Sequence, residues 1–396
     1  MLEHPDSAAS PPQQPRVELE PARGTGPDGR ELLIVCLARG LGGSTRSLAT
    51  VLEGLPPSFR RVVCTPTGGP YLRYLQSRDL MDVHVDIPHR GRGTKGKMSR
   101  ITAMLRVARW VREHRDSLAA IHANGPEEMN LVAPVARRYG VPMVVWSHAR
   151  DVSPWMRRLS PLMRLVLRRV DVRWATVSRH ARDVLVEAGL CSTGDVEIIP
   201  NPIDPDDVVG PRSAARGDIR IGYLGSDAGY KGFAILPDVI EAVGDEDVSW
   251  LIFSNPRSSE NDEVWKRLRA LPSESVTVVG KVADVRGAYS QCDVVFMPSK
   301  VESFGRVAAE AMLNGVPVVA SDLPPVREVL GDDEGGLLYP PGEVDSAADQ
   351  LKRLIRDPEL RASLGEAGRA RARQFEPRSV VAALTRLYRG GAPDID

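Results

Sequence analysis

The sequence predicts an α/β protein of two doubly wound parallel-sheet domains, and three observations carry that prediction. Short apolar runs alternate along the chain with longer stretches of helical periodicity, the pattern of parallel strands joined by covering helices. The alternation restarts near residue 219 after a Pro-, Asp- and Arg-rich stretch, and each half opens with a strand, a Gly-containing turn and a helix. At 396 residues the chain is long enough for two separate cores. The expected domains are residues 31–204 and 218–375, with a linker ending near Gly217.

Residues 1–30 contain Pro5, Pro11, Pro12, Pro15, Pro21 and Pro27 among Ser, Gln, Gly and charged residues, and read as a disordered leader. Order begins with the buried strand Glu31 to Ala38, then Arg39-Gly40-Leu41-Gly42-Gly43-Ser44-Thr45 and a helix to about Gly54. Strand, Gly-rich turn and helix together cradle an anion. A dinucleotide site would need G-x-G-x-x-G and a carboxylate closing the second strand. Gly40 to Thr45 breaks that spacing and Arg61 to Thr65 ends without an acid, which argues against a nicotinamide cofactor. A purely structural tight turn is the bland alternative.

Further strands are expected at Asp82–Ile87, Leu118–Ala123, Met143–Ser147, Arg173–Ser178 and Val196–Pro200. Helices are expected over about 98–115, to Tyr139, over Pro154–Arg169 and to Gly189. His148 ends the strand Met143–Ser147, at the sheet edge where open α/β folds bind ligands. His122 reads as a structural residue. Two basic stretches stand out. His89 to Lys97 is a Gly-rich loop suited to an anionic acceptor, and the helix carrying Trp155, Arg157, Arg158, Leu162, Leu165, Arg168 and Arg169 is amphipathic and suited to an anionic membrane surface. The alternative for that helix is ordinary packing of its Leu face on the sheet.

The second half restarts with the strand Ile219 to Gly225, then Ser226-Asp227-Ala228-Gly229-Tyr230-Lys231-Gly232 and a helix. A lysine at such a helix start can set its ammonium against a phosphate. Strands follow at Ser249–Phe253, Val276–Val279, Asp293–Ser299, Val316–Ser321 and Gly336–Tyr339, with helices at Val344–Asp357, Glu359–Gln374 and Pro377–Tyr388.

The stretch Val301 to Pro317 is the most informative. Glu302 stands just past the carboxyl end of the Asp293–Ser299 strand, and Ser303, Phe304 and Gly305 open a helix whose first amides lack backbone partners and can hold an anion. Gly305 leaves room for a phosphate. Glu310 lies roughly 10 Å further along the chain, at ~1.5 Å per helical residue. The two carboxylates are too far apart for an acid/base pair and suit the hydroxylated ends of one elongated ligand with an anionic middle. A sugar joined to a nucleoside through pyrophosphate has that shape.

Composition bounds the remaining classes. Apolar content of 42% and charged content of 26% describe an ordinary soluble protein, no apolar run reaches the length of a membrane span, and the start lacks a signal core, so the chain is expected in the cytoplasm. Cys36, Cys64, Cys191 and Cys292 show no metal spacing and read as buried reduced thiols. Residues 31–200 carry 26 Lys and Arg against 15 Asp and Glu, whereas residues 201–396 carry 23 against 32. A basic first half favours an anionic partner. Nucleic acid is not expected, because neither basic stretch interleaves the aromatics that base stacking needs.

The segment with Glu302, Phe304-Gly305, Glu310-Ala311-Met312 and Gly315-Val316-Pro317-Val318 resembles the Glu-x7-Glu motif of retaining GT-B-fold glycosyltransferases of family 4. The resemblance extends over nearly the whole chain after the first thirty residues. It implies two Rossmann-like domains facing a cleft, with the last helix (376–390) returned to the first domain. It further implies that Glu302 holds hydroxyls of the donor sugar, Glu310 the ribose hydroxyls, and that His148 orients the transferred sugar or steadies an oxocarbenium-like state. The Gly42-Gly43 turn would face the donor phosphates and the acceptor, and Gly280-Lys281-Val282 the nucleobase. Ile198 to Asp204 resembles the family's Ile-Pro-Asn-Gly-Val-Asp signature with Pro202 in place of Gly. The loop from Gly225 matches the family's Gly-Arg-Leu-x-x-x-Lys-Gly at Lys231 and Gly232, but Ser226 occupies the Arg position. Another cation, such as Arg306, would then have to serve the diphosphate. His122 follows the family's His-x-His strand end halfway, since Asn124 stands second.

The resulting expectation is a metal-independent retaining glycosyltransferase that moves a sugar from a nucleotide-diphosphate donor to a hydroxyl acceptor, with no cofactor beyond that substrate. Breaking the anomeric bond builds charge on the pyrophosphate, so fixed cations and amides there supply most of the rate. Lys231, the amides of Phe304 and Gly305 and the Gly42-Gly43 loop are the candidates, with Ser303 beside them. Asp204-Pro205-Asp206 and Asp332-Asp333 are read as remote loops rather than metal sites. No carboxylate stands out as a covalent nucleophile, which suits front-face attack with the leaving phosphate taking the acceptor's proton. A nucleotide-sugar 2-epimerase of the same fold and a non-catalytic sugar-nucleotide-binding protein are the alternatives.

Overall fold

A computed structural model describes residues 30–88, 93–152, 156, 161–203, 219–244, 247–256, 261–272, 275–280, 282, 286–331, 334–392 and 394. Residues 1–29 of the expected leader, 89–92 of the basic loop, the linker, Lys281, the 204–206 and 332–333 acidic pairs and most of the 153–160 stretch lie outside those residues, and Arg30 opens the first strand.

The first lobe contains β1 (Arg30–Val35), β2 (Phe59–Thr65), β3 (Val83–Asp86), β4 (Leu118–Ala123), β5 (Met143–Ser147), β6 (Val172–Thr176) and β7 (Val196–Ile198). They form one parallel sheet in the order β3-β2-β1-β4-β5-β6-β7. The second lobe contains β8 (Ile219–Leu224), β9 (Val248–Phe253), β10 (Val276–Val278), β11 (Val294–Met297), β12 (Val318–Ser321) and β13 (Gly336–Tyr339), parallel in the order β10-β9-β8-β11-β12-β13. In β1, Leu32, Leu33, Ile34 and Val35 are all buried although successive side chains point to opposite faces, so both faces of the sheet are covered. These are the two doubly wound parallel-sheet domains that the alternation predicted, in the two-lobed arrangement that the family resemblance implied.

The covering helices are α1 (Gly43–Gly54), α2 (Pro70–Ser77), α3 (Gly93–His114), α4 (Pro126–Tyr139), α5 (Pro161–Leu167) and α6 (Arg179–Glu187) in the first lobe. In the second they are α7 (Leu236–Val243), α8 (Asp262–Ala270), α9 (Arg286–Tyr289), α10 (Arg306–Leu313), α11 (Pro324–Leu330), α12 (Val344–Arg356), α13 (Pro358–Ala372) and α14 (Pro377–Tyr388). Four differences from the sequence reading have local causes. Helices α2 and α11 begin with proline, which reads as a turn signal but fits the first helical positions because its missing N–H is not needed there. Helix α8 buries only Trp265 and Leu268, too few to show a period. Residues 93–97, expected as part of a Gly-rich loop, are the first turn of α3. Lys231 sits not at an α-helix start but in a 3-10 turn, Gly229–Lys231, and α7 begins only at Leu236.

Helix α14 crosses to the first lobe, where Leu384, Leu387 and Tyr388 join a buried cluster containing Leu32, Ile34 and Leu48 of that lobe and Val295, Met297 and Ala308 of the other. A Cβ on Gly54 would lie 2.8 Å from Val381 Cγ2, so glycine sets the close approach of α1 to α14. The chain crosses a second time beside it, with the Ile203 N–H donating to the Phe375 carbonyl at 2.8 Å. His122 is fully buried on β4, and its Nδ1 lies 2.9 Å from the Tyr388 hydroxyl. Its Nε2 has no hydrogen-bond partner among the described residues, so the structural role read for His122 satisfies one ring nitrogen of two.

Candidate active site between the two lobes

Strand order reverses between β1 and β4 in one sheet and between β8 and β11 in the other, and the residues after those strand ends face a shared cleft. The cleft holds a cavity of about 430 Å³ lined from the first lobe by Leu41, Gly42, Gly43, Ser44, Arg46, His148, Arg150 and Asn201. From the second lobe come Gly225, Ser226, Tyr230, Lys231, Asn255, Val282, Tyr289, Glu302, Ser303, Phe304, Gly305, Arg306 and Glu310. Of the described residues that the sequence marked for the site, all but Gly280 line this one cavity.

The Gly42-Gly43 turn is not a conformational necessity. Neither glycine has a positive φ, a Cβ on Gly42 would meet nothing within 4 Å, and one on Gly43 would meet only Arg306 Cδ at 3.9 Å. These glycines keep the cavity wall bare, which a tight-turn role does not explain. Gly305 differs, because its φ of 99° caps α10 in the left-handed region and leaves the first amides of that helix at the cavity. Gly232 is the most constrained of all, since at φ 68° a Cβ would lie 1.6 Å from the Pro298 carbonyl oxygen. That contact seats the Lys231 turn against the end of β11, and the Lys300 N–H donates to the Tyr230 carbonyl at 2.8 Å.

The two carboxylates are buried, and both are held by partners from the second lobe. Lys231 Nζ donates to Glu302 Oε1 at 2.6 Å, and Ser299 Oγ donates to the same oxygen at 2.8 Å. Glu310 accepts from Arg306 Nε at 2.5 Å and from the Tyr289 hydroxyl at 2.6 Å. Burial, and then the neighbouring Glu310, hold the Tyr289 phenol well above its ordinary range, so it stays a donor. Arg306 also donates through Nη1 to Ser47 Oγ and to the Pro202 carbonyl, both at 2.9 Å. It therefore bridges three segments.

His148 packs edge-on against Trp146, ring centroids 4.6 Å apart, and Trp146 is pinned by its Nε1–H donating to the Ile199 carbonyl. Burial, reinforced by His122 and Arg306, pushes the His148 pKa down to about 3, so the ring is neutral at physiological pH. Its enclosed Nε2 has no hydrogen-bond partner among the described residues. A neutral imidazole there can orient a hydroxyl or a developing positive centre but brings no charge of its own.

The lobes also touch directly. Ser178 Oγ donates to the Ser303 carbonyl at 2.7 Å, the Glu328 carboxylate accepts the N–H groups of Arg179 and His180 at 2.9 and 3.2 Å, and the Arg150 guanidinium lies 4.3 Å from the Tyr230 ring centroid. Sequence reasoning did not single out Arg46, Arg150, Tyr230 or Tyr289 for the site. Asn201, within the quoted Ile198–Asp204 signature, was the one with a visible signal.

Comparison with known proteins agrees with this geometry. The family model of glycosyl transferases group 1 matches residues 213–371, and that of glycosyltransferase family 4 matches residues 41–207. A phosphatidyl-myo-inositol mannosyltransferase of Mycobacterium leprae is 30% identical over 298 residues, 72% of this chain and 76% of that protein. A D-inositol 3-phosphate glycosyltransferase of Saccharomonospora viridis is 40% identical over a shorter match of 106 residues, 27% of this chain and 25% of that protein. Among solved structures, Anabaena Alr3699/HepE in complex with UDP and glucose shares the fold with a TM-score of 0.76 at 21% identity, over 90% of this chain and 99% of that one. Two parallel-sheet lobes, a cleft lined by both and these matches together place the chain in the family 4, group 1 glycosyltransferases of GT-B fold.

Proposed function

We propose that this glycosyltransferase transfers a sugar from a nucleotide-diphosphate donor to an acceptor hydroxyl with retention of anomeric configuration, without a metal ion. The observation that carries the reading is the arrangement of Glu302 and Glu310 on either side of the Phe304-Gly305 turn in one cavity, with His148 and Gly42-Gly43 facing them from the other lobe. Glu302 binds hydroxyls of the donor sugar, Glu310 the ribose, and Val282, next to Lys281, lies on the nucleobase side. Lys231, the amides at the start of α10 and the bare Gly42-Gly43 turn receive the diphosphate as charge builds on it. Neutral His148 orients the sugar, and the leaving phosphate takes the acceptor's proton. The names of the mannosyltransferase and inositol phosphate glycosyltransferase relatives support sugar transfer, and the UDP and glucose bound in the Anabaena structure support a nucleotide-sugar donor.

Thermal-shift screening against UDP-, GDP-, ADP- and TDP-sugars selects the donor, since a ligand at ~100 times its Kd stabilises by about 2.7 kcal/mol. Transfer is then followed by NMR of the product's anomeric proton, with and without EDTA. An axial donor giving an axial product at undiminished rate in EDTA is expected. Inversion, or loss of rate restored by a divalent cation, overturns the corresponding part of the proposal. Release of a free epimer with no acceptor present overturns transfer in favour of epimerisation.

A further inference from the structure

Helix α3 carries two apolar faces on opposite sides. Ala103, Val107 and Val111 are buried in the core of the first lobe. Met98, Ile101 and Leu105 recur at the spacing of a single helical stripe and are 64%, 48% and 60% exposed. At about 100° per residue the centres of these two groups lie on opposite sides of the helix axis, so packing onto the sheet accounts for one face and leaves the other in solvent. The same helix carries Lys95, Lys97, Arg100, Arg106, Arg109 and Arg112 against a single acid, Glu113. Lys97 lies beside the exposed stripe, and Arg109 and Arg112 continue it toward the C-terminal end, where Glu113 pairs with both.

We propose that this outer face of α3 docks the enzyme on an anionic lipid surface, with Met98, Ile101 and Leu105 inserted and the flanking basic side chains at the headgroups. Apolar side chains ringed by Lys and Arg on a surface helix match the headgroup boundary of a charged leaflet, where insertion and charge attraction add. A second copy of this chain is a poorer match, because it would set one basic stripe against another. Helix α5, the basic helix read from sequence as lipid-facing, is less suited. Among its described side chains Val166 and Leu167 are buried and Leu165 is the exposed large apolar one, at 44%. Both helices pack against α4, so the two faces belong to one side of the lobe and can be compared directly. The inference stands apart from the identity of donor or acceptor.

The test is co-sedimentation of the full chain with vesicles of phosphatidylcholine alone and of phosphatidylcholine with phosphatidylglycerol, at low and high salt. Binding to the anionic vesicles alone, weakened by salt, is expected. Replacing Lys97, Arg109 and Arg112 by Gln should weaken it by about fivefold for each charge near the surface. The variant Met98→Ser/Ile101→Ser/Leu105→Ser should lose at least about tenfold, with its melting temperature unchanged because the three side chains are exposed, and Leu165→Ser should bind as the parent does. Equal binding to neutral vesicles, an unaffected triple-Ser variant, or loss on Leu165→Ser overturns the proposal. So does light scattering that shows a dimer abolished by the triple-Ser change, which would make a second copy the occupant.

Discussion

Ser178 offers the sharpest test of how the two lobes cooperate, because one buried hydroxyl serves both. Its Oγ accepts the Ala181 N–H at 3.0 Å, capping α6 in the first lobe, and donates to the Ser303 carbonyl at 2.7 Å in the second. Ser178→Ala removes both bonds. Loss of the cap is expected to cost about 1 kcal/mol of stability, and loss of the cross-lobe bond about another 1 kcal/mol. The second quantity matters for turnover, since the Ser303 carbonyl belongs to the peptide that carries the Phe304 N–H. If that bond holds the turn in its working geometry, kcat falls about fivefold for each kcal/mol not recovered in the transition state. Urea unfolding reads the sum of the two losses, and steady-state rates with the selected donor read what the cross-lobe bond contributes to turnover. A variant destabilised as expected but with the parent's kcat and kcat/KM would refute the idea that the contact aligns the anion-binding turn. Glu328→Gln probes the neighbouring contact, in which the carboxylate accepts the Arg179 and His180 N–H groups at the start of α6. Both changes loosen the same helix end, so in a double-mutant cycle their effects on kcat are expected to be non-additive.

Three further outcomes are expected. Lys231→Met, which strips Glu302 of its ion pair and, on the proposed donor placement, the leaving group of a fixed cation, should lower kcat by about 10² to 10³-fold while circular dichroism stays unchanged; a loss of only a few-fold would remove Lys231 from the leaving-group site. Gly232→Ala should destabilise by more than about 2 kcal/mol in urea unfolding, because φ 68° and a Cβ 1.6 Å from the Pro298 oxygen leave no room for a side chain. Burial lowers His148 to about 3 and His122 to about 4 from an ordinary 6.5. Depressed folded-state values favour the neutral rings, so their contribution is full above pH 6.5 and is lost as pH falls from there towards 4 and 3. At pH 5 that is at most about 2 kcal/mol per ring, and His122→Asn should flatten the acid limb of the stability profile by roughly half of the combined effect; an unchanged limb would refute the assignment.

What could be read from sequence were the positions fixed by strand order. A parallel sheet with both faces covered concentrates its ligand groups at the carboxyl ends of its strands, so His148 after β5, Gly42 after β1 and Glu302 after β11 were visible as soon as the apolar runs were. Residues that reach the cavity from elsewhere left no such mark. Tyr289 arrives from the short helix α9, and its role depends on a 2.6 Å contact with Glu310 that no spacing encodes. Arg150 became relevant only through Tyr230 on the opposite lobe. The misread elements failed for complementary reasons. Proline at a helix start looks like a turn, glycine in the first turn of α3 looks like a loop, and Lys231 in a 3-10 turn looks like a helix start because Gly232 punctuates both.

Ser226 stands where the family places an arginine, and the contacts of Arg306 suggest a test of whether it serves in place of that residue. Its Nε occupies Glu310 Oε1 while Tyr289 holds Oε2, and its Nη1 reaches Ser47 and the Pro202 carbonyl across the cleft. A ribose hydroxyl arriving at Glu310 competes with Arg306 for the same oxygen. Once displaced, the guanidinium has a short path to the phosphate side, because its Cδ already lies 3.9 Å from where a Cβ on Gly43 would stand. On the proposed donor placement Arg306 is expected to couple nucleoside recognition to diphosphate neutralisation, and that coupling has a distinguishing sign. Arg306→Leu should leave the affinity of the free nucleoside unchanged or improved, since Glu310 loses a competitor. It should weaken the nucleoside diphosphate about tenfold, the worth of one charge-assisted contact of ~1.4 kcal/mol. Calorimetric titration of both ligands against both proteins measures the two constants. Equal weakening of nucleoside and diphosphate would mean that Arg306 only braces the lobes, and the missing cation would then have to come from Arg46 or Arg150, the other arginines on the cavity wall.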